Sequence, residues 1–363
     1  MKLSDIAKLA GVSKATASRA LSNPALVSQE TRQRVLDVAR EYNFRPNAMA
    51  QAVASRKSGL IGFCLYNKSR PYFGHTFFAP ILDGITGQAK EMNYHVVLAI
   101  TDQLQDTFEE RFIEDCIEGA ILSTFAPASM VEVFRSRGTP VVVVNDELST
   151  EHTGFIIDDN YGGTQKLMSH MIDERGYTSI AIVTDRISHP SYLIRYLSYL
   201  DALSARGLEP YSSPALPEYN LLGHVTDYNR IPLERCGQTD IPRRGTPVIL
   251  SSLTPQSVQS GMDDLLHCPE LPRAIFCTTD SIAISAILAI KARGLRVPED
   301  IAVCGYDDIE AAATNDPALT TICVNRDAIG RSAMKLLKKF IDDPTRPSET
   351  ICLQNTLVVR QST

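Results

Sequence analysis

From residue 60 onward, short apolar runs alternate with segments of helical periodicity, and this alternation most constrains the fold. The first three runs are IGFCLY, HVVLAI and GAILS. Apolar strands separated by amphipathic helices predict βαβ units, whose parallel strands are buried on both faces. A second series follows residue 160, with strands at SIAIVT, PVILS and AIFCTT. The sequence therefore predicts two parallel sheets with a cleft between them.

The first 45 residues have a different pattern, which predicts three short helices. Gly11 marks a tight turn after the first helix, and Ser13 and Ser28 are placed to cap the second and third helices. The predicted core residues are Ile6, Leu9, Val12, Ala17, Ala20, Leu21, Val35, Val38, Ala39 and Tyr42. Lys14, Ala15, Ser18 and Arg19 then face outward from the second helix. This is a helix-turn-helix pattern, although a small helical bundle with a solvated basic face would produce it too.

Charge separates this head from the rest of the chain. Residues 1–60 carry ten Lys or Arg and four Asp or Glu, whereas the whole chain has a net charge of −6. A basic head on an acidic body predicts that the head, and not the body, binds a polyanion.

Several residues of the head carry a family resemblance. Ala7, Ala10-Gly11-Val12-Ser13, Thr16, Ser18-Arg19 and Val27-Ser28 resemble the LacI/GalR family of bacterial transcription regulators. The resemblance implies base contacts from Lys14, Ala15 and Arg19, and backbone contacts from Ser13, Thr16, Ser18 and Asn47. Arg19 can donate two hydrogen bonds to guanine, whereas Ala15 offers a methyl group to thymine. Phe44 replaces a phosphate-binding Tyr that is common in relatives.

The stretch AMAQAVA at 48–54 resembles the hinge helix of the family, within a hinge of residues 46–58. Seven residues do not hold a helix alone in water. In the family this helix forms when two copies pack in the minor groove and insert an apolar side chain, which here is Val53. An inert linker is the alternative.

The resemblance continues through the body. It rests on Phe77-Phe78 with Gly84-Ile85, Asp159-Asn160 with Gly162-Gly163, Arg195, RGLRVPEDIAVCGYDD at 293–308, PALTTI at 317–322 and VVRQST at the end. It implies an α/β core of two Rossmann-like parallel-sheet subdomains, of the periplasmic binding protein type I, over residues 59–363. We assign 59–158 and 293–321 to the N-subdomain, and 159–292 and 322–345 to the C-subdomain. The strand at 301–305 would then join the N-terminal sheet, and the helix at 327–341 the C-terminal half.

Ligands of open α/β sheets bind at the carboxyl ends of the strands. Matching the family residue by residue, we predict that the effector-binding residues are Phe77, Phe78, Ser123, Asn145, Ser191, Arg195, Thr279 and Asp307. Such groups suit a sugar, because each sugar hydroxyl both donates and accepts hydrogen bonds. Arg195 and Asp307 could instead form an ion pair that bridges the subdomains, and the two Phe residues could be core.

Three departures from the family bear on the effector. Leu253 occupies the position of a common aromatic platform, Thr279 replaces the Asn that usually precedes Asp280, and the Pro-rich segment 209–255 is longer than in relatives. The effector chemistry is therefore open, and the long segment could either shape the pocket or be a solvated loop.

Together these features predict a cytoplasmic, homodimeric repressor of carbohydrate-metabolism genes that a sugar-like effector releases from a palindromic operator. The alternative is a corepressor-dependent regulator that responds to a nucleobase, a nucleoside or a phosphorylated metabolite.

An enzyme is disfavoured, because the chain has no GxGxxG, P-loop or GxSxG motif. The eight cysteines have no zinc-ligand spacing and read as reduced thiols. No metal, no cofactor other than the effector and no membrane association is expected.

Overall fold

A computed structural model describes residues 2–22, 26–44, 58–66, 77–101, 116–123, 126–148, 150–185, 189–216, 247–250 and 254–363. Asn47, Val53 and Leu253 lie outside these residues, as do most of the predicted hinge and the middle of segment 209–255. The chain divides into two compact units, residues 1–60 with 107–118 and residues 61–106 with 119–363. No helix in the described part is long and apolar enough to span a bilayer.

Three helices form the head, as predicted. They are α1 (Leu3–Leu9), α2 (Lys14–Ser22) and α3 (Gln29–Glu41). Both predicted caps are confirmed, because the Ser13 hydroxyl accepts from the Thr16 amide at 3.0 Å and the Ser28 hydroxyl accepts from the Thr31 amide at 3.3 Å. Each cap pairs one of the amides that a helix start leaves without a partner.

Most of the predicted head core is confirmed. The buried residues are Ile6, Ala7, Ala10, Ala17, Ala20, Val35 and Ala39, and Val12, Leu21 and Val38 are half-buried. The prediction that Leu9 is buried is wrong: Leu9 is 51% exposed, because Ile6, Ala7 and Ala10 form the inward face of the first helix. Tyr42 is 44% exposed, since it follows the last turn of α3 and does not continue its buried stripe.

The second unit begins with alternating strands and helices. They are β1 (Leu60–Tyr66), α4 (Ala79–Glu91), β2 (His95–Thr101), β3 (Gly119–Leu122), α5 (Ala128–Ser136), β4 (Val141–Val144) and β5 (Thr153–Asp158). Strands β3 and β4 are buried along their whole length. This burial on both faces explains their continuous apolar sequence.

The chain then builds a second layer and returns. The elements are α6 (Asn160–Ser169) with a π-helical turn over His170–Glu174, β6 (Ile180–Thr184), α7 (Pro190–Ser204), β7 (Val248–Ile249), α8 (Pro255–Leu266), β8 (Ala274–Cys277), α9 (Asp280–Ala292), β9 (Ala302–Cys304) and α10 (Glu310–Thr314). The last elements are β10 (Thr321–Cys323), α11 (Arg326–Asp342), β11 (Glu349–Leu353) and β12 (Thr356–Val358).

These strands form three sheets. The six-stranded sheet has the order β11-β5-β4-β3-β1-β2, the four-stranded sheet has the order β7-β6-β8-β9, and β10 pairs with β12 in an antiparallel ribbon. The pairs β1–β3, β3–β4, β4–β5 and β5–β11 are parallel, as are the pairs of the four-stranded sheet. The predicted core of two parallel sheets is confirmed.

The assignment of the returning segments was wrong. The strand predicted over 301–305 is β9, and it pairs with β8 in the four-stranded sheet instead of joining the N-terminal one. The helix predicted over 327–341 is α11, and it packs against α4, β3, β4 and β5 of the six-stranded half. Buried strands and amphipathic helices have the same pattern in either half, so tertiary packing alone decides which sheet they join.

Two glycines let α4 and α11 approach each other. A Cβ atom on Gly84 would lie 2.2 Å from the Asp327 carbonyl oxygen, and one on Gly330 would lie 2.1 Å from the Ile81 carbonyl oxygen. The obstacle is backbone in both cases, which cannot rotate away as a side chain can. Only glycine therefore permits this helix contact.

We predict that Gly84→Ala lowers the free energy of unfolding by about 1–3 kcal/mol, because the added methyl group overpacks the contact. Gly87→Ala is the matched control on the same helix. Its Cβ would meet only the flexible end of Arg331, at 3.3 Å, and alanine is favoured over glycine in helices by about 1 kcal/mol. Urea denaturation of both variants tests this, and equal stability of the two would contradict it.

Candidate functional sites

The outer face of α2 is exposed and cationic. Lys14, Ala15 and Arg19 are exposed, whereas Thr16 and Ser18 are half-buried. The Ser13 and Thr16 hydroxyls lie 2.8 Å apart and bond to each other. The three residues predicted to read bases are thus accessible, and Ser13, predicted to contact a phosphate, also caps the helix.

The second unit is organised around a buried cation, Arg195 on α7, which is 2% exposed. Its Nε donates to Oδ1 of Asn160 at 2.7 Å and its Nη1 to the Thr278 carbonyl oxygen at 2.5 Å. Its Nη2 lies 3.5 Å from Oδ1 of Asp307. A buried charge needs such partners, and these lie on α6, after β8 and after β9.

Two tyrosines flank the guanidinium. Its Cζ lies 3.6 Å from the centre of the Tyr306 ring and 5.9 Å from that of Tyr192. An aromatic face attracts a cation, most strongly where water is excluded. Burial raises the pKa of both phenols. They therefore stay neutral and stabilise the cation without competing with Asp307.

Asp307 is the carboxylate partner of Arg195, and its backbone lies in the left-handed region, with φ 112°. Burial raises the pKa of Asp307 to about 6, against the opposing influence of the Arg195 and Arg326 cations. A non-glycine residue in this backbone region is strained, and such strain persists only where its surroundings hold it. Because β9 belongs to the four-stranded sheet, the Arg195–Asp307 pair lies within one half of the unit and does not bridge the two.

A small pocket, with a cavity volume of about 30 Å³, lies beside this network. Its lining comprises Asn145, Asp146, Glu147, Ile157, Asp158, Asn160, Pro190, Ser191 and Ile194. These residues follow β4, end β5 and begin α6 and α7, so the pocket lies at the carboxyl edge of the six-stranded sheet, where α/β proteins bind ligands. Amides, carboxylates and a hydroxyl offer both donors and acceptors.

The predicted effector residues occupy several places. Asn145 and Ser191 line the pocket, and Arg195 and Asp307 form the network beside it. Phe77 and Phe78 make an edge-to-face contact with ring centres 5.3 Å apart and pack on the core, as the core alternative predicted. Ser123 is buried after β3. For none of the eight residues is effector contact tested, so their binding roles stay predictions.

Thr279 and Asp280 have structural partners. The Thr279 hydroxyl caps α9 by accepting from the Ile282 amide at 3.3 Å. Asp280 accepts from the Ile309 amide at 2.9 Å and from the Thr321 hydroxyl at 2.5 Å. Burial, and next the Asp307 charge, raise the pKa of Asp280 to about 8. Asp280 thus fastens the start of α9 to the segment that follows β9 and to β10.

Two residues that hold the network together, Asn160 and Tyr306, were not predicted as site residues from the sequence. Asn160 lies between Arg195 and Asp158, donating to the Asp158 carboxylate at 3.0 Å. Tyr306 lies beneath the guanidinium. Both belong to motifs singled out above, Asp159-Asn160 and GYDD, so the available signal was a short polar or aromatic residue directly after a buried strand.

A helix-turn-helix head with an exposed cationic face, joined to a two-sheet core with a polar pocket, defines a DNA-binding transcription regulator with a small-molecule effector. Residues 2–47 match the family model described as bacterial regulatory proteins of the lacI family, and residues 170–363 match a periplasmic binding protein-like domain. The chain belongs to the LacI family, and its relatives are transcriptional repressors.

Relatives align over nearly the whole chain. The HTH-type transcriptional repressor PurR of Actinobacillus pleuropneumoniae is 26% identical, over 99% of this chain and 97% of the relative. The ribose operon repressor of Haemophilus influenzae is also 26% identical, over 99% and 98% of the two chains. The Lac repressor dimer bound to operator and the anti-inducer ONPF has the same fold, with a TM-score of 0.74, 22% identity and coverage of 100% and 99%.

We predict that Arg195→Met lowers the melting temperature more at pH 8 than at pH 5. Losing one partner of a buried ion pair costs about 3–5 kcal/mol while the other stays charged. The pKa of Asp307 is already raised to about 6 in the folded protein. Its folded form therefore binds a proton as the pH falls through that value, and the penalty diminishes.

The control is the double variant Arg195→Met/Asp307→Asn, in which this pH dependence should disappear. Melting curves at both pH values suffice. A loss for Arg195→Met that is the same at pH 8 and pH 5 would show that Asp307 is not the group left unpaired.

Proposed function

We propose that this chain is a homodimeric repressor whose two α2 helices read the halves of a palindromic operator and whose pocket binds a polyhydroxylated metabolite that releases the DNA. The observation that carries the effector proposal is the pocket lining. Asn145 and Ser191 provide donors and acceptors, and Asp146 and Asp158 provide acceptors for ligand hydroxyls. A sugar presents hydroxyls that both donate and accept, so it matches such a lining.

The effector and operator are linked by thermodynamics. If the metabolite weakens operator binding by some factor, the operator complex must bind the metabolite more weakly than the free protein does, by the same factor. The coupling free energy is typically about 1–3 kcal/mol. The pocket lies where the chain crosses from β5 to α6, between the two sheets. A ligand there contacts both halves and can favour one of their arrangements over another.

Dimeric operator binding is supported by the relative seen as a dimer on its operator. Two copies of α2 that bind one face of the duplex require half-sites about one helical turn apart. Selection of binding sites from random DNA with the full-length protein should therefore recover a near-palindrome. A single, non-repeated half-site would argue against the dimer.

For the head, we predict that Arg19→Ala weakens binding to the selected operator by about 1–3 kcal/mol while random DNA is bound almost as before. The reason is that a bidentate contact to guanine is lost along with one charge. Titrations at several salt concentrations measure both affinities.

Arg40→Ala is the matched control, because Arg40 is equally exposed but lies on α3. It removes the same charge without touching α2. If both variants weaken operator and random DNA alike, Arg19 contributes only charge and does not read a base.

For the pocket, we predict that one class of neutral sugar raises the melting temperature of the full-length protein. A ligand that binds only the folded state stabilises it by about 2.7 kcal/mol at a hundred times its Kd. The panel is D-ribose, cellobiose, D-glucuronate, ribose 5-phosphate, hypoxanthine and adenosine. The shift should be diminished in Ser191→Ala, which removes one lining hydroxyl.

The operator assay then gives the sign of control. Release of DNA by the stabilising sugar supports an inducer. Stabilisation by hypoxanthine, adenosine or ribose 5-phosphate together with tighter operator binding would replace the proposal with the corepressor alternative.

A further inference from the structure

Asn355, on the short connection between β11 and β12, is a buried residue in a region that the family resemblance did not single out. It is 1% exposed. Its Nδ2 donates to Oδ2 of Asp158 at 2.7 Å and to the Tyr306 hydroxyl at 2.9 Å, and lies 3.2 Å from the Asp159 carbonyl oxygen. One amide group thus holds three groups from two distant parts of the chain.

The partners of Asn355 belong to the two halves of the core. Asp158 is the last residue of β5 in the six-stranded sheet, and Tyr306 follows β9 of the four-stranded sheet. Asn355 itself lies on the last crossing between β11, in the six-stranded sheet, and β12, in the ribbon. Its amide is therefore a direct bond between the two halves beside the chain crossings.

Each partner also belongs to the pocket or to the network beside it. Asp158 lines the pocket and accepts from Asn160, which in turn bonds Arg195. Tyr306 carries the ring on which the Arg195 guanidinium lies. Moving Asn355 would therefore disturb both the Asp158 carboxylate, which accepts from Asn160, and the Tyr306 ring, which lies against the Arg195 cation.

Two features around Asn355, a close approach at Gly163 and an unpaired amide oxygen, lower the stability of the folded protein. A Cβ on Gly163 would lie 2.3 Å from the Tyr306 hydroxyl and 3.2 Å from Cβ of Asn355. Within the described residues, Oδ1 of Asn355 is buried with no hydrogen-bond partner. An unpaired buried acceptor is destabilising, so stability alone does not account for an asparagine here.

We propose that Asn355 is a positioning residue for the pocket: by holding the Asp158 carboxylate and the Tyr306 ring in register, it fixes the Asn160–Arg195 network that borders the ligand. The inference rests on the proposed function in that it takes this pocket as the effector site. Its test uses no effector and no DNA, so it fails or succeeds independently of that function.

The test compares Asn355→Asp with the reciprocal double variant Asp158→Asn/Asn355→Asp. In the single variant, the carboxyl group introduced at position 355 meets the Asp158 carboxyl group, where the amide had donated a hydrogen bond at 2.7 Å. Two carboxyl groups this close cannot both be ionised. In the double variant an amide at position 158 can donate to a carboxylate at position 355, and its oxygen can still accept from Asn160. The bond to position 158 is restored with its direction reversed, whereas the bond to the Asp159 carbonyl oxygen is lost in both variants.

The readout is amide hydrogen exchange of the full-length protein, followed by mass spectrometry. For Asn355→Asp at pH 8 we expect exchange about tenfold faster or more in segments 158–164, 189–196 and 305–309, since one hydrogen bond to a charged group corresponds to about that factor. The β8 segment 274–277 should not change. The double variant should return the three segments to wild-type rates.

A pH profile of melting temperature is the second readout. The ionisable groups that face position 355 are Asp158, Tyr306 and the Lys166 ammonium, which donates to the Asn355 carbonyl oxygen at 2.7 Å. The deficit of Asn355→Asp should shrink as the pH is lowered, because the two carboxyl groups then share a proton. Asn315→Asp is the control. Asn315 is half-buried, and within the described residues its side chain makes one hydrogen bond, to the Pro317 carbonyl oxygen.

Faster exchange in all three segments, rescue by the double variant and a deficit that falls with pH would support the proposal. Faster exchange confined to 353–358 would overturn it, because the residue would then stabilise only its own loop. A double variant that exchanges as fast as Asn355→Asp would overturn it as well, since the bond to Asp158 would not be what positions the network.

Discussion

The burial of the Arg195 guanidinium is the constraint on which the core depends. A buried cation is tolerated only where several groups converge on it. Here the groups are Asn160, the Thr278 carbonyl oxygen, Asp307 and the Tyr306 ring. They come from three segments, so satisfying one charge fixes the start of α6 and the ends of β8 and β9. The pocket takes its shape from this requirement.

The backbone beside this network is strained. Asp307 and Asp308 both have positive φ, and the Arg326 guanidinium donates to the Asp308 carbonyl oxygen while that of Arg360 bonds the Asp308 carboxylate. Each of these contacts holds the loop against relaxation. Arg326 and Arg360 therefore hold the loop beside the pocket, whose own lining comes from residues 145–194.

Local pattern was enough to predict the layers of the fold but not all of its connections. The apolar runs located the strands because burial on both faces leaves a continuous signal. They did not reveal that β9 stays with β8 or that α11 covers the six-stranded sheet. Arg195 and Asp307 were predicted as site residues, but the contribution of Asn355 was hidden: Asn355 and Asp158 are 197 positions apart, and an isolated Asn in a loop carries no signal of such a partner.

The return of α11 and β11 to the first half bears on synthesis of the chain. Helix α11 covers β3, β4 and β5, and β11 completes their sheet at its edge. A ribosome releases those strands long before it makes residues 326–353. Until then the face of these strands that α11 covers stays open, and the half that is made first is completed last. Vectorial synthesis thus leaves a nascent chain with an open sheet, the kind of intermediate that chaperones protect.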